Sequence, residues 1–545
     1  MVRNVRIDVF PVAIHGLAFA LLAGLGLLLG CDSELVSSRD AESITRSTAV
    51  DSKQTSQSAS SSNAYGGGSG SKDGAASAAK KPTKDRSITT GGFPKLPDIP
   101  QENQSLTSPK VAHPERTTSS VIDQAPETPT GSYLVGRPPN VDPARIKLAA
   151  IRQIRGKHLV LFTDLPSKPE IDALPKIFDA AIEPWCRFFH IDPKRVENWR
   201  IHGYLMSERV KFEATGLYPA GLPDFPHGFQ RGWELWWYDQ PSDYYRRHLL
   251  LHEGTHAFMA HFLGGTGPPW YMEGMAELLA LHRWQQDRLQ LRAFPATRDE
   301  VPFWGRVKVI RESVAGGTTK SLASVFAFGV SAHRRVEAYA WSWAACLFLS
   351  EHPRYREAFA ELPQQVRQLG RFSTNQAEKF SANDGELEND WQAFLTDLDY
   401  GFRMSGALVH RRQGIPLPID GATIEVDSQL GWQSSGYRLS AGDKYRITAS
   451  GRFQIRKGPN AWVCQPDGIT IHYYRGIPLG KLLGAVDSST KGSGRPSVFL
   501  SPQHVGSELI FRSQHNGTLF FRVNEPAGEL SDNDGKITVR IEPQS

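Results

Sequence analysis

The stretch LLLHEGTHAFMAHFLGGTGPPWYMEGMAELLALH, from Leu249 to His282, holds the residues of this chain best suited to chemistry. On a helix, His252 and His256 stand four apart and share a face, so both imidazoles can be offered to one metal ion. Glu253 lies next to the first of them, where a carboxylate could take a proton from a water at the ion and pass it to a leaving group. An ordinary amphipathic helix with two solvated histidines would carry the same pentapeptide. A catalytic zinc site also needs a third protein ligand and an open fourth position. Glu273 is spaced for that role, 17 residues after His256 and beyond a Gly/Pro linker that can reverse the chain. Glu277 follows one helical turn later, placed to accept a hydrogen bond from the outer nitrogen of a ligand histidine. Ala276, Ala280 and Leu281 make the rest of that face apolar, as an inward-facing helix requires.

HEGTH followed by WYMEGMAE resembles the gluzincin group of zinc metallopeptidases, the relatives of thermolysin and aminopeptidase N. More closely, it is similar to a group of gluzincin-like bacterial lipoproteins. The resemblance implies that His252, His256 and Glu273 ligate Zn2+, that Glu253 is the general base, and that Glu277 orients a ligand histidine. The order of sheet, edge strand, HExxH helix and ligand helix extends the likeness to Asp142–Arg412. In such enzymes an edge strand pairs with the substrate backbone, which here would be Phe229–Tyr238; an aromatic core strand would read the same way. They also supply a Tyr or His to the oxyanion, for which Tyr339 is the first candidate and His333 the second.

A second cluster of donors lies near the end of the chain, in FFRVNEPAGELSDNDGKITVRIEP. Oxygen donors gathered in one acidic loop suit Ca2+, which takes six to eight of them. The segment resembles the C-terminal loop and strand of the calcium-dependent galactose-binding lectin A family. That resemblance implies Glu525, Glu529 (through its carbonyl), Asp532 and Asn533 as calcium ligands, with the ion holding sugar hydroxyls. Glu525 stands where the family has Asp and Asp532 where it has Asn, and the family's early-loop aromatic ligand has no clear counterpart. A structural sandwich with a solvated acidic turn is the other reading.

The elements that must position these residues can be read along the chain. KHLVLFTDLP and WRIHGYLM read as buried strands, EIDALPKIFDAAIEPWCRFFHI as an amphipathic helix, and Phe229–Gln240 as one aromatic strand. Helices follow at HEGTH, from Tyr271, over Arg335–Ser350 and Tyr355–Leu362, and up to Tyr400. After Gly421 the texture changes to short alternating runs separated by Gly, Asp and Asn, as in a sandwich. The expected fold is an α+β gluzincin-like metallopeptidase domain at 142–412 and an all-β sandwich of jelly-roll, galactose-binding type at 421–545.

Upstream, Arg3 and Arg6 precede an apolar run, Val12–Leu29, that ends in Gly30-Cys31 and a polar stretch. This reads as a secretory signal over residues 1–31 and resembles a lipobox with Cys31 as the lipidated residue; a transmembrane anchor is the alternative. Residues 32–141 are rich in Ser, Gly and Pro and read as a disordered stalk. Cys186, Cys346 and Cys464 are too few and too scattered for a disulfide framework or a Cys-based zinc site. A net charge of +5 over 545 residues, with Lys and Arg dispersed, gives no reason to expect a nucleic-acid partner. The expected protein is a lipid-anchored zinc metallopeptidase of the cell envelope, facing the periplasm or exterior, with a peptide or protein substrate and a domain for Ca2+ and glycan. The alternative is a catalytically silent surface protein that serves as a glycan-binding module.

Overall fold

The computed structural model describes residues 140, 142–381, 384–456, 458, 461–488 and 497–545. The expected signal run, Cys31 and the expected stalk lie outside the described residues, apart from Asn140. No helix among the described residues is long and apolar enough to cross a membrane. The protein is mixed α/β, with a β-rich C-terminal region of several sheets.

The first sheet contains β1 (Arg152–Arg155), β2 (Leu159–Thr163), β3 (Ile201–Met206), β4 (Gly228–Arg231) and β5 (Glu234–Tyr238), in the order β1-β2-β3-β5-β4. The three central strands run parallel, and β1 and β4 close the edges antiparallel. Side chains alternate across the sheet as the pleat demands. Leu159, Leu161, Leu205, Leu235 and Trp237 face the main core. Val160, Phe162, Tyr204, Met206 and Trp236 face a smaller core on the other side. The expected single strand over Phe229–Gln240 is instead a hairpin. The chain turns at Gly232-Trp233, with Arg231 opposite Glu234, the register of a two-residue loop. The edge strand is therefore β4 alone.

Helix α1 (Leu174–Phe189) covers the sheet with Leu174, Ile177, Phe178, Ala181, Ile182 and Trp185, the i, i+3, i+4 pattern of a one-sided helix. Pro175 is tolerated because it falls in the first turn, where the missing N–H has no intrahelical partner. Helix α2 (Asp243–Phe262) carries HEGTH and starts at Ser242, whose side chain accepts a bond from the Tyr245 N–H at 3.0 Å. Helix α3 (Pro269–Ala280) carries Glu273 and starts at a proline, whose fixed φ suits the first helical position. Helices α4 (Arg306–Ala315), α5 (Val336–Glu351) and α6 (Gly385–Asp397) complete the main core. Gly274 lets α3 lie against α5: a Cβ there would come within 2.4 Å of the Ser342 carbonyl and 2.5 Å of Cys346 Sγ. Cys186, Cys346 and Cys464 are buried free thiols.

In the C-terminal region, β6 (Ala422–Asp427), β8 (Lys444–Ser450), β10 (Glu508–Arg512) and β12 (Lys536–Gln544) form a four-stranded sheet in the order β6-β12-β8-β10. A facing sheet runs Gln503–His504, β9 (Leu482–Asp487), β11 (Gly517–Val523), β7 (Trp432–Leu439) and Val409–His410. Tyr445, Ile447, Val539 and Ile541 from the first sheet meet Leu439, Leu482, Leu519 and Phe521 from the second in one core. Val409–His410 pairs with β7, so residues expected to end the preceding domain belong to this sheet.

Helix α6 joins the two halves. Asp397 at its end accepts a 2.6 Å bond from Arg522 of β11, with side-chain exposures of 2% and 5%. Asn389 donates to Asp487, and Gln392 accepts from the Ser497 N–H. Ala393 packs into the same small core as Trp432 and Phe520.

Candidate metal centre

Helix α2 is buried from Tyr244 to Ala260, except at Arg247. His252 and His256 are only 6% and 8% exposed, so they are not surface histidines of a solvated helix. Helix α3 packs against α2 and brings Glu273 to the same point. His252 Nε2 lies 3.2 Å from His256 Nε2 and 3.2 Å from Glu273 Oε2; His256 Nε2 lies 3.4 Å from that oxygen. A tetrahedral ion with bonds of about 2.0–2.1 Å sets its ligand atoms about 3.3–3.4 Å apart. The three atoms thus form a face of the right size for zinc, and two imidazoles with one carboxylate are a donor set zinc accepts. Burial pushes the Glu273 carboxyl up, but His256 and His252 outweigh it and hold the carboxyl well below the usual range.

Glu253 is 5% exposed and lies under the edge strand. A Cβ on Gly228, the first residue of β4, would come within 2.5 Å of Glu253 Oε1, so a side chain there would have to displace the Glu253 carboxylate. Burial pushes the Glu253 carboxyl up to about 8, with His256 acting in the opposite direction.

Glu277 is the hub behind the triangle. Arg306 donates to it twice, from Nη2 to Oε1 at 2.7 Å and from Nε to Oε2 at 3.1 Å. Trp304 Nε1 donates to Oε2 at 3.0 Å. His252 Nδ1 stands 3.5 Å from Oε1, a charge contact outside hydrogen-bond geometry, and His248 Nε2 stands 3.3 Å from Oε2. Burial raises the Glu277 carboxyl, yet Arg306, then His248 and His252, hold it well below the ordinary value. Glu277 thus lies on the Nδ1 side of His252, but the hydrogen bond expected between them is not formed.

Tyr339, on α5, has its ring 6.1 Å from that of His252 and 5.5 Å from the Arg306 guanidinium. Burial pushes its phenol upward, so the hydroxyl stays a donor near neutrality. His333 packs edge-on to Tyr339 at 5.2 Å and faces Ser342 Oγ at 3.0 Å. Both oxyanion candidates therefore border the site, and Tyr339 is nearer to a ligand histidine.

No protein-family model matches this chain, and no curated protein is similar to it in sequence. Among solved structures, one described as "EclA N-terminal domain; PllA-like lectin" aligns with 22% of this chain and 95% of its own length. The identity is 18% and the TM-score 0.18, and the likeness carries no argument about function.

The acidic turn is arranged differently. Glu525 and Asn533 are buried, at 1% and 0%, and Asn533 Nδ2 donates to Glu525 Oε2 at 2.6 Å and to the Ser428 carbonyl at 2.9 Å. Glu529 and Asp532 are exposed. Among the described residues, the carboxylates of Glu525, Glu529 and Asp532 do not gather as a ligand group; the two groups that do form are both on α2 and α3. Asn533 Oδ1 is buried without a hydrogen-bond partner.

Sequence reasoning missed Arg306, Trp304 and His248. His248 had a signal, since it lies four residues before His252 on the same face. Arg306 and Trp304 are far from Glu277 in sequence and carry no local pattern.

Proposed function

We propose that this protein is a zinc metallopeptidase of the gluzincin type, exported and lipid-anchored through Cys31. One observation carries the reading: three donor atoms on α2 and α3 stand 3.2–3.4 Å apart, with Glu253 buried beside them. His252, His256 and Glu273 would hold the ion. Bound there, zinc supplies Lewis acidity toward a scissile carbonyl and lowers the pKa of water. Glu253 would take a proton from the attacking water and return it to the leaving amine; this needs its carboxylate form, which a cation held beside it favours. Tyr339 donates its phenolic hydrogen to the oxyanion. Strand β4 presents an unpaired edge above Glu253, to which an extended peptide can add as a further strand. Glu277 orients His252.

The β-rich region, in this proposal, binds Ca2+ through Glu525 and Asn533, with Glu529 and Asp532 completing the set, and holds a glycan beside the substrate. Support comes from the buried, unpartnered Asn533 oxygen. The deciding experiment is zinc content together with turnover of an unbiased peptide library. One zinc per chain with hydrolysis supports the proposal. Zinc without hydrolysis would favour the silent glycan-binding protein, and no zinc at all would end the metallopeptidase reading.

A further inference from the structure

The hub at Glu277 raises a question that the ligand triangle leaves open. His248, His252 and Glu277 form a second group of two nitrogens and a carboxylate, all buried, which shares His252 with the first. His252 turns Nε2 to the first group and Nδ1 to the second. His248, with 1% side-chain exposure, stands with Nδ1 3.1 Å from the Ala280 carbonyl, so that nitrogen carries the hydrogen. Its Nε2 then offers a lone pair toward Glu277 and has no hydrogen-bond partner. By donor chemistry alone, this second group suits a divalent ion as well as the first.

Arg306 separates the two. It grips both oxygens of Glu277 and is itself 7% exposed. A divalent ion within ligating distance of Glu277 would meet that guanidinium, like charge against like, where little solvent screens them. Among the described residues, the ion-pair partners of Glu273 are the two imidazoles alone. We propose that Arg306 is a positioning residue that decides which of two overlapping ligand sets takes the ion. As a fixed internal cation it closes the His248–His252–Glu277 set. By holding Glu277 toward His252 Nδ1, it leaves Nε2 facing His256 and Glu273. This inference rests on the metallopeptidase reading of the triangle.

The test is zinc titration of the full chain against a chromophoric chelator, with folding checked by unfolding midpoint. Wild type binds one zinc. Arg306→Met frees Glu277, so a second zinc binds, with His252 releasing its ring proton to solvent and bridging the two ions as imidazolate, while the first weakens about 10–100-fold, the usual cost of losing an outer partner. The double variant Arg306→Met/Glu277→Gln returns to one zinc, because the freed carboxylate is gone. Arg306→Lys keeps the charge without the two-pronged grip and binds one zinc, more weakly than wild type. A single zinc of wild-type affinity in Arg306→Met overturns the proposal, as do two zincs in the double variant. If Arg306→Met fails to fold, Arg306→Lys decides: a second zinc or unaltered affinity there overturns the proposal. Wild type without zinc overturns the metallopeptidase reading instead, so the two failures stay distinct.

Discussion

Two stretches of this chain crowd metal donors into a few residues, and they fold to different ends. On α2 and α3, His252, His256 and Glu273 bring one atom each to within 3.4 Å of the others. In the acidic turn, Glu525 and Asn533 face inward and bond to each other, while Glu529 and Asp532 face solvent. The difference lies in the backbone. A helix enforces its own repeat through hydrogen bonds, so a spacing of four becomes a shared face before any tertiary contact forms. A turn has no such repeat, and each residue's direction is set by what packs around it.

The largest expected effects lie at the helical site. Glu253→Gln should keep zinc, because Glu253 is not a ligand, yet lose about 10²–10⁴-fold in turnover. Glu273→Ala should lose the metal itself, since two protein ligands remain. Metal analysis beside peptide hydrolysis reads both. Equal zinc loss in the two variants would break the distinction between ligand and base.

Next comes the junction that makes the two regions one body. Arg522→Met leaves Asp397 buried and unpaired, which should cost about 3–5 kcal/mol in urea unfolding. Arg522→Met/Asp397→Leu should recover much of that loss, because no uncompensated charge remains. Two separate unfolding transitions in wild type would show that the junction does not couple the halves.

Calcium sharpens the comparison from the other side. Millimolar calcium should raise the unfolding midpoint of the full chain, the stabilisation amounting to about 2.7 kcal/mol at a hundredfold excess over Kd. Asn533→Ala should remove that increment. A wild-type midpoint that ignores calcium leaves the turn a structural feature and the helical site alone as a metal centre.

The smallest effect is on the acid side. Burial pushes the His282 imidazole down to about 3 from its usual 6.5. It is neutral in the folded protein, while an unfolded chain takes up a proton below about 6.5. The unfolded state then binds more protons, so the stability that His282 contributes is present above that pH and lost as pH falls toward 3. His282→Gln can still accept from Arg247 and donate to Ala280, and it should flatten that limb of the stability–pH curve. An unchanged slope would assign the acid sensitivity to other groups.

How much of this was legible in sequence follows the same division. The strands at Leu159 and Ile201 and the α2–α3 pair were readable, because buried strands and one-sided helices leave periodic apolar patterns. The hairpin at Gly232 was not: the aromatic run 229–238 alternates smoothly across the turn, and strand pairing alone reveals the edge. The membership of Val409–His410 in the C-terminal sheet was likewise hidden, since two paired residues leave no pattern.

The sequence by itself determined that His252 and His256 share a face, that Glu253 stands beside them, and that Glu273 follows after a linker able to reverse the chain. These are consequences of local helix geometry and of chain-reversing residues. Only the tertiary structure decided that the face is buried, that β4 lies over Glu253, and that Arg306, Trp304 and His248 converge on Glu277. Those contacts join residues tens of positions apart, whose meeting depends on how α2, α3 and α4 pack. No spacing rule spans such distances, because packing answers to shape and burial across the whole core.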